Sequence, residues 1–430
     1  MKKIQYIYQF AFLLGILSLA SCKKDFPNPN APTTDQVFSS ARGLVGVNIG
    51  AQRVYSFGGA SVIYGMVTAN GFATNEVILM NAGNVAEFQF SRGGTTVDNT
   101  NTVLANIWTN SNKVIYDANT VLAAAANVND KGYASGLIAH ASILKALAMG
   151  TLSMFWEQVP EGIGSQVKFR GRMEGYDAAI ATINSALSTL SSTPVSATYL
   201  SDATPGIDYV NTLNALKARY LLFTGKNADA LTAANLVDLT KRSTFNYDAI
   251  STNPIFTTAT ATNNVFQAID STLGLPATLA PALTDGRIAF YTSINATIAP
   301  RYRINGFYNS TTTAIPIYLP GEIMLIKAEA MARTNNLTGA LAELNKVITK
   351  TATADIYRVG AGLSASTAST STEILDEIYK NRCIELYMSG LKLEDMRRFG
   401  RPLTERKRNF FPYPFRERDG NPNTPSDPSF

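Results

Sequence analysis

Five residues recur at a constant offset of 110 positions: Ala218, Ala230, Leu231, Asn235 and Val237 return as Ala328, Ala340, Leu341, Asn345 and Val347. In each copy an apolar helical run leads through a short polar turn, Thr224-Gly225-Lys226-Asn227 or Thr334-Asn335-Asn336, into a second run. Small residues where two helices cross let their backbones approach closely, so each copy is expected to fold as an antiparallel helical hairpin. Two alanine-rich hairpins also arise by coincidence, and a solenoid would repeat without a gap. The spacing therefore predicts helix pairs scattered along one face of a larger body.

Further helices follow from periodicity. Ile107, Trp108, Val114, Ile115, Ala118, Val121, Leu122 and Ala125 form one apolar stripe at spacings of three and four. Ile138, Ala141, Leu144, Lys145, Leu147 and Ala148 belong to a second helix reaching Met154, and Tyr176 to Leu190 makes a third. Between them, residues 55–105 and 242–318 are rich in Gly, Asn, Thr and aromatic residues, with Pro254, Pro276, Pro281 and Pro300 in the second stretch. Segments this long without periodicity are expected to be recognition loops held by a scaffold. The fold class that follows is mostly α. Its helix pairs resemble those of tetratricopeptide repeats and form a scaffold carrying long irregular loops.

The amino terminus carries an address. Lys2 and Lys3 precede an apolar or small run from Phe10 to Ala20, too short for a membrane anchor of ~20 residues, so it reads as a secretory signal. It ends in Leu19-Ala20-Ser21-Cys22, which resembles a bacterial lipobox. Cys22 is the expected site of lipidation, and two acyl chains anchor a protein stably without a spanning helix. No other stretch reads as long and apolar enough to span. Residues 1–21 are thus the signal peptide and 22–35, with Pro27, Pro29 and Pro32, an extended tether. Residues 36–430 are expected to form a single helical domain with the two loop-rich inserts.

The formal charge of +5 includes Lys2 and Lys3, so the mature chain is near neutral and lacks the basic stripe of a nucleic-acid binder. Positive charge gathers between Lys380 and Arg418. Cys383 is the only cysteine besides Cys22, which leaves no internal disulfide and no thiolate metal cluster.

The carboxyl-terminal segment is the most distinctive. Arg382, Glu385, Gly390, Asp395, Arg397, Arg398, Phe399 and Gly400 form a helix, a glycine, an aspartate-arginine segment and an aromatic-glycine pair. This resembles the signature of the SusD/RagB family, with Asn381 and Leu391 as departures. Trp108, Tyr116 and Asn119 resemble the family's early helix, Phe155 to Pro160 one of its turns, and Phe411-Pro412-Tyr413-Pro414 with Glu417-Arg418 its tail. The order of these soft motifs is what is specific.

The resemblance implies a helical superhelix with four tetratricopeptide-type pairs, anchored by lipid at the cell surface of the outer membrane. It implies glycan binding, or peptide binding as in some relatives, and delivery to a SusC-type TonB-dependent transporter. No cofactor and no nucleic acid enter. Relatives place an Arg and a Trp in the amino-terminal third, which Arg92 and Trp108 match. Trp108 equally suits a core, given its apolar stripe. Tyr302 and Tyr308, near Arg301 and Arg303, are further ligand candidates. Arg382 and Glu385 lie one turn apart beside Leu375, Ile378 and Leu386, so a structural ion pair is expected in preference to a catalytic carboxylate. Asp395 is expected to pair with Arg397 or Arg398. His140, the only histidine, sits in a helical run and reads as packed. No nucleophile elbow, zincin helix or phosphate loop is present, so catalysis is not expected. A glycosidase leaves no sequence spacing and stays as an alternative, as does an envelope scaffold.

Overall fold

The computed structural model describes residues 37–429 except Ser39, Ile298 and Pro300; the signal segment, Cys22 and the tether lie outside them. Its frame is a ladder of helices: α1 (Ala41–Ser56), α2 (Thr102–Ala125), α3 (Lys131–Phe155), α4 (Arg172–Ser192), α5 (Tyr209–Phe223), α6 (Asn227–Asn235), α7 (Pro320–Arg333), α8 (Leu337–Ile348) and α9 (Ser371–Glu385). Starts are fixed by side-chain caps. Asn101 accepts from the Val103 and Leu104 amides, Asp130 from Tyr133, Asp208 from Asn211, and Thr370 forms a capping box with Glu373. Each such cap is worth about 1 kcal/mol.

The packing follows the tetratricopeptide pattern. Each helix packs on the next, and α1, α3, α5, α7 and α9 also pack on one another in turn, while the even-numbered helices fill the other layer. Ala218, Ala230, Ala328 and Ala340 are completely buried within the hairpins α5–α6 and α7–α8. These two hairpins are not scattered. Helix α6 packs directly on α7, because residues 242–318 leave the ladder and return at one point. There Thr244–Phe245 pairs antiparallel with Ile315–Pro316, so the insert grows from a two-stranded neck without opening the stack.

Two expectations from composition need correction. Residues 55–105 contain helices Val62–Ala73 and Val85–Arg92. The Gly, Thr and Asn of the first are buried, Gly65 against Ile107 of α2, Gly71 against Val77 and Asn70 donating to the Gly390 carbonyl, so they serve close packing and are not solvated loop residues. Helix α3 is by length and composition apolar enough to cross a membrane. Its side chains are buried between α2, α4 and α5, which is the environment that accounts for its apolarity. A short pair, Val77–Leu79 with Phe266–Ala268, ties the first loop-rich segment to the insert.

Candidate functional site

The charged side chains of the carboxyl-terminal signature are withdrawn from solvent and sort into three networks. Arg382 does not pair with Glu385. Its Nε donates to Asp395 Oδ2 at 3.0 Å, with Glu329 Oε2 at 4.0 Å. Asp395 and Glu329 also receive Arg398, whose Nη2 lies 2.6 Å from Asp395 Oδ1. Residues three apart share a helix side, but α9 turns Arg382 toward the following helix Lys392–Arg398, while Glu385 faces the insert. A second network joins Glu394 to Arg172 at 3.0 Å and Arg397 at 2.9 Å.

Glu385 anchors the third network. Its side chain is fully buried and accepts from Arg287 Nη1 at 3.3 Å and Lys350 Nζ at 2.7 Å. Burial opposes the Lys350 charge, but the Glu385 and Asp355 carboxylates outweigh it and hold its pKa above the ordinary lysine value. Gly321 at the start of α7 makes room for this: a Cβ there would lie 1.8 Å from Glu385 Oε1.

Both ends of this network reach one surface groove. Arg287 belongs to the short helix Gly286–Tyr291, held by Asp285 at 2.7 Å and Asn381 at 2.8 Å, and the helix presents Phe290. Lys350 holds Asp355 at 2.7 Å; Asp355 in turn accepts from the Tyr357 amide at 2.8 Å and closes a turn that presents Tyr357 and Arg358. Arg358 is exposed and sits at φ +67°, a left-handed conformation that costs a non-glycine residue energy.

The groove has a volume of about 1080 Å³. Half-buried Phe290, Phe307 and Tyr357 form a chain of edge contacts, with centroids 5.2 and 6.0 Å apart. Arg242 lies over the Tyr357 ring at 5.5 Å. Gly306, at φ +63°, brings the turn against Phe290, where a Cβ would meet the ring at 2.9 Å. Asp208, Asn246 and Thr313 add hydrogen-bonding groups to the lining. Burial pushes the Tyr357 hydroxyl up to about 12, and it accepts the Ser243 amide at 2.9 Å, so the ring is neutral and fixed. Aromatic faces beside guanidinium, amide and carboxylate groups suit a ligand with apolar C–H faces and many hydroxyls.

The residues expected at the ligand fare unequally. Trp108 is only 4% exposed, its Nε1 donates to Glu417 at 3.0 Å, and it packs edge-on to Trp156 at 4.8 Å and Tyr413 at 5.7 Å. It is a core ring, enclosed by Trp156, Phe169 and the tail residues Tyr413 and Glu417. Tyr308 is buried too; its hydroxyl donates to the Met388 carbonyl at 2.8 Å. Tyr302 is half-buried in the strand Tyr302–Ile304, and its neighbour Arg303 lines a separate cleft of about 360 Å³ with Asn263, Asn295 and Asn305. Arg92 is exposed at the end of helix Val85–Arg92, its guanidinium 5.2 Å from the Phe88 ring. None of the four lines the groove. Phe290, Phe307, Tyr357 and Arg358 were missed because they stand singly, without periodicity; only the composition of residues 242–318 pointed toward two of them.

Comparison with known proteins agrees with this architecture. A sequence model described as the SusD family matches residues 291–426. A SusD homolog from Bacteroides thetaiotaomicron has a similar structure at 12% identity and a TM-score of 0.72, with 93% of this chain and 99% of that one covered. A SusD-like carbohydrate-binding protein from Bacteroides fragilis is similar at 14% identity and a TM-score of 0.68, with 90% and 99% covered. A laminarin-binding SusD-like protein is similar at 16% identity and a TM-score of 0.65, with 91% and 99% covered. No curated protein matches the chain by sequence.

Proposed function

We propose that the chain is a member of the SusD/RagB family and acts as a non-catalytic glycan-capture lipoprotein that binds oligosaccharide in the Tyr357 groove. The observation that carries this reading is the row of Phe290, Phe307 and Tyr357 beside Arg242, Arg358 and Asn246 in one open groove. The carbohydrate-binding and laminarin-binding relatives of the same fold support the ligand class. Sugar rings would lie on the aromatic edges and faces, and their hydroxyls would bond the polar rim. Lipidation at Cys22 would place the domain on the outer membrane, where the captured glycan passes to a SusC-type TonB-dependent transporter.

Calorimetric titration with neutral oligosaccharides, acidic oligosaccharides and peptides tests the function. Glycan binding that falls about ten-fold in Tyr357→Ala, with melting unchanged, is the expected result, since one aromatic contact is worth ~1–2 kcal/mol. Binding of peptides alone, or release of sugar from any glycan, contradicts it.

A further inference from the structure

A second pocket, of about 160 Å³, lies between α2, α3, α4 and the hairpin formed by Gln158–Pro160 and Phe169–Gly171. It is below the ~300 Å³ of pockets that enclose whole small-molecule ligands, so it fits a single substituent or ion. Its charged lining consists of Lys145 from α3, Arg170 from the hairpin, and Glu161, which is exposed to solvent. Val159 and Arg170 are cross-strand partners, so both side chains leave the hairpin on the same side, toward the pocket. Asn112 and Asn119, seven residues apart on α2, line it as well.

The two cations are brought together without a counter-ion. Neither Lys145 nor Arg170 takes part in an ion pair among the described residues, and Arg170 Nε is buried with no hydrogen-bond partner. Burial lowers the Lys145 pKa, and the Arg170 charge lowers it further; no carboxylate counters them. Elsewhere in this chain buried guanidinium groups meet carboxylates, as Arg172, Arg219 and Arg287 do. Like charges half-withdrawn from water are costly unless an anion joins them.

We propose that this pocket is a small-oxyanion site that takes a sulfate, phosphate or carboxylate group, free or carried as the acidic substituent of a sugar. Lys145 and Arg170 supply charge-assisted hydrogen bonds, and the Asn119 amide offers a further donor. The pocket shares no residue with the Tyr357 groove, so it stands or falls independently of glycan binding there.

The test is calorimetry on the full chain in detergent, at fixed ionic strength in chloride, with inorganic sulfate, inorganic phosphate, glucuronate, a sulfated monosaccharide and neutral glucose. The expected result is saturable binding of at least one anion and none of glucose, weakened about ten-fold or more in Lys145→Met and in Arg170→Gln. Tighter binding of the sugar-borne anions supports an acidic-glycan subsite, and equal binding of the inorganic ions supports a free-ion site. Lys145→Met should melt no lower than the unliganded parent, because it removes a charge repulsion. Asn119→Asp, at an exposed position, keeps the test open if the others fail to fold, since its carboxylate should abolish anion binding. Absence of binding by all four anions, or binding that survives these substitutions, overturns the proposal.

Discussion

At the scale of single residues, several side chains that look like ligand contacts are supports. Trp108 joins Trp156, Phe169 and Tyr413 in one aromatic cluster, so three motifs far apart in sequence meet in one place. Trp108→Ala should cost about 3–5 kcal/mol of stability by leaving a cavity, with glycan affinity of the folded fraction unchanged; denaturant unfolding and titration together check this. His140 is fully buried, its Nε2 2.8 Å from Gln52 Oε1 and its Nδ1 3.1 Å from the Tyr199 hydroxyl. Burial lowers its pKa to about 4. The unfolded imidazole titrates near 6.5, so between those values the unfolded chain binds a proton that the folded chain refuses. Stability from this group is therefore full above pH 6.5 and falls as the pH drops toward 4, by roughly 3 kcal/mol. His140→Gln should flatten that part of the stability profile; an unchanged acid slope would contradict it.

At the scale of elements, α2 to α8 were legible in whole or part because amphipathic periodicity is a local property, and the 110-residue repeat identified the two hairpins correctly, whereas α1 and the helices Val62–Ala73 and Val85–Arg92 were not. Their adjacency was not legible. It depends on the neck at Thr244–Phe245 and Ile315–Pro316, two residues on each side, too short to leave a pattern. In the signature, the Asp395–Arg398 pair was legible from spacing, but Arg382 was given the wrong partner, since helical spacing says which charges share a side and not what faces them. Of its networks, only that of Glu385 reaches the groove. Glu385 links helix Gly286–Tyr291 to the turn at Asp355 through Arg287 and Lys350, with Gly321 leaving the space. Gly321→Ala should therefore displace the carboxylate, lower stability by about 1–3 kcal/mol or more, and weaken glycan binding although it lies outside the groove. Arg382→Ala removes one of the two guanidinium groups on buried Asp395, leaving Arg398 in place, and should cost about 1–3 kcal/mol with little change in affinity. Equal effects of the two substitutions on binding would refute the division of labour between the networks.

For the whole molecule, the helical ladder supports an insert that supplies Phe290 and Phe307 to the groove, which Tyr357 and Arg358 complete from the turn after α8. The Cys22 anchor would set that groove at the membrane through the 22–35 tether. Cys22→Ala should shift the protein from the detergent phase to the aqueous phase in a phase-separation assay and remove the acyl mass; wild-type protein that is already aqueous would contradict lipidation. The direct test of the central claim is a crystal structure of the protein with the oligosaccharide that titration selects. Sugar rings packed against Tyr357 and Phe307, with hydroxyls bonded to Arg242, Arg358 or Asn246, are the predicted result. A sugar seated instead in the Arg303 cleft, with the Tyr357 groove empty, would contradict it.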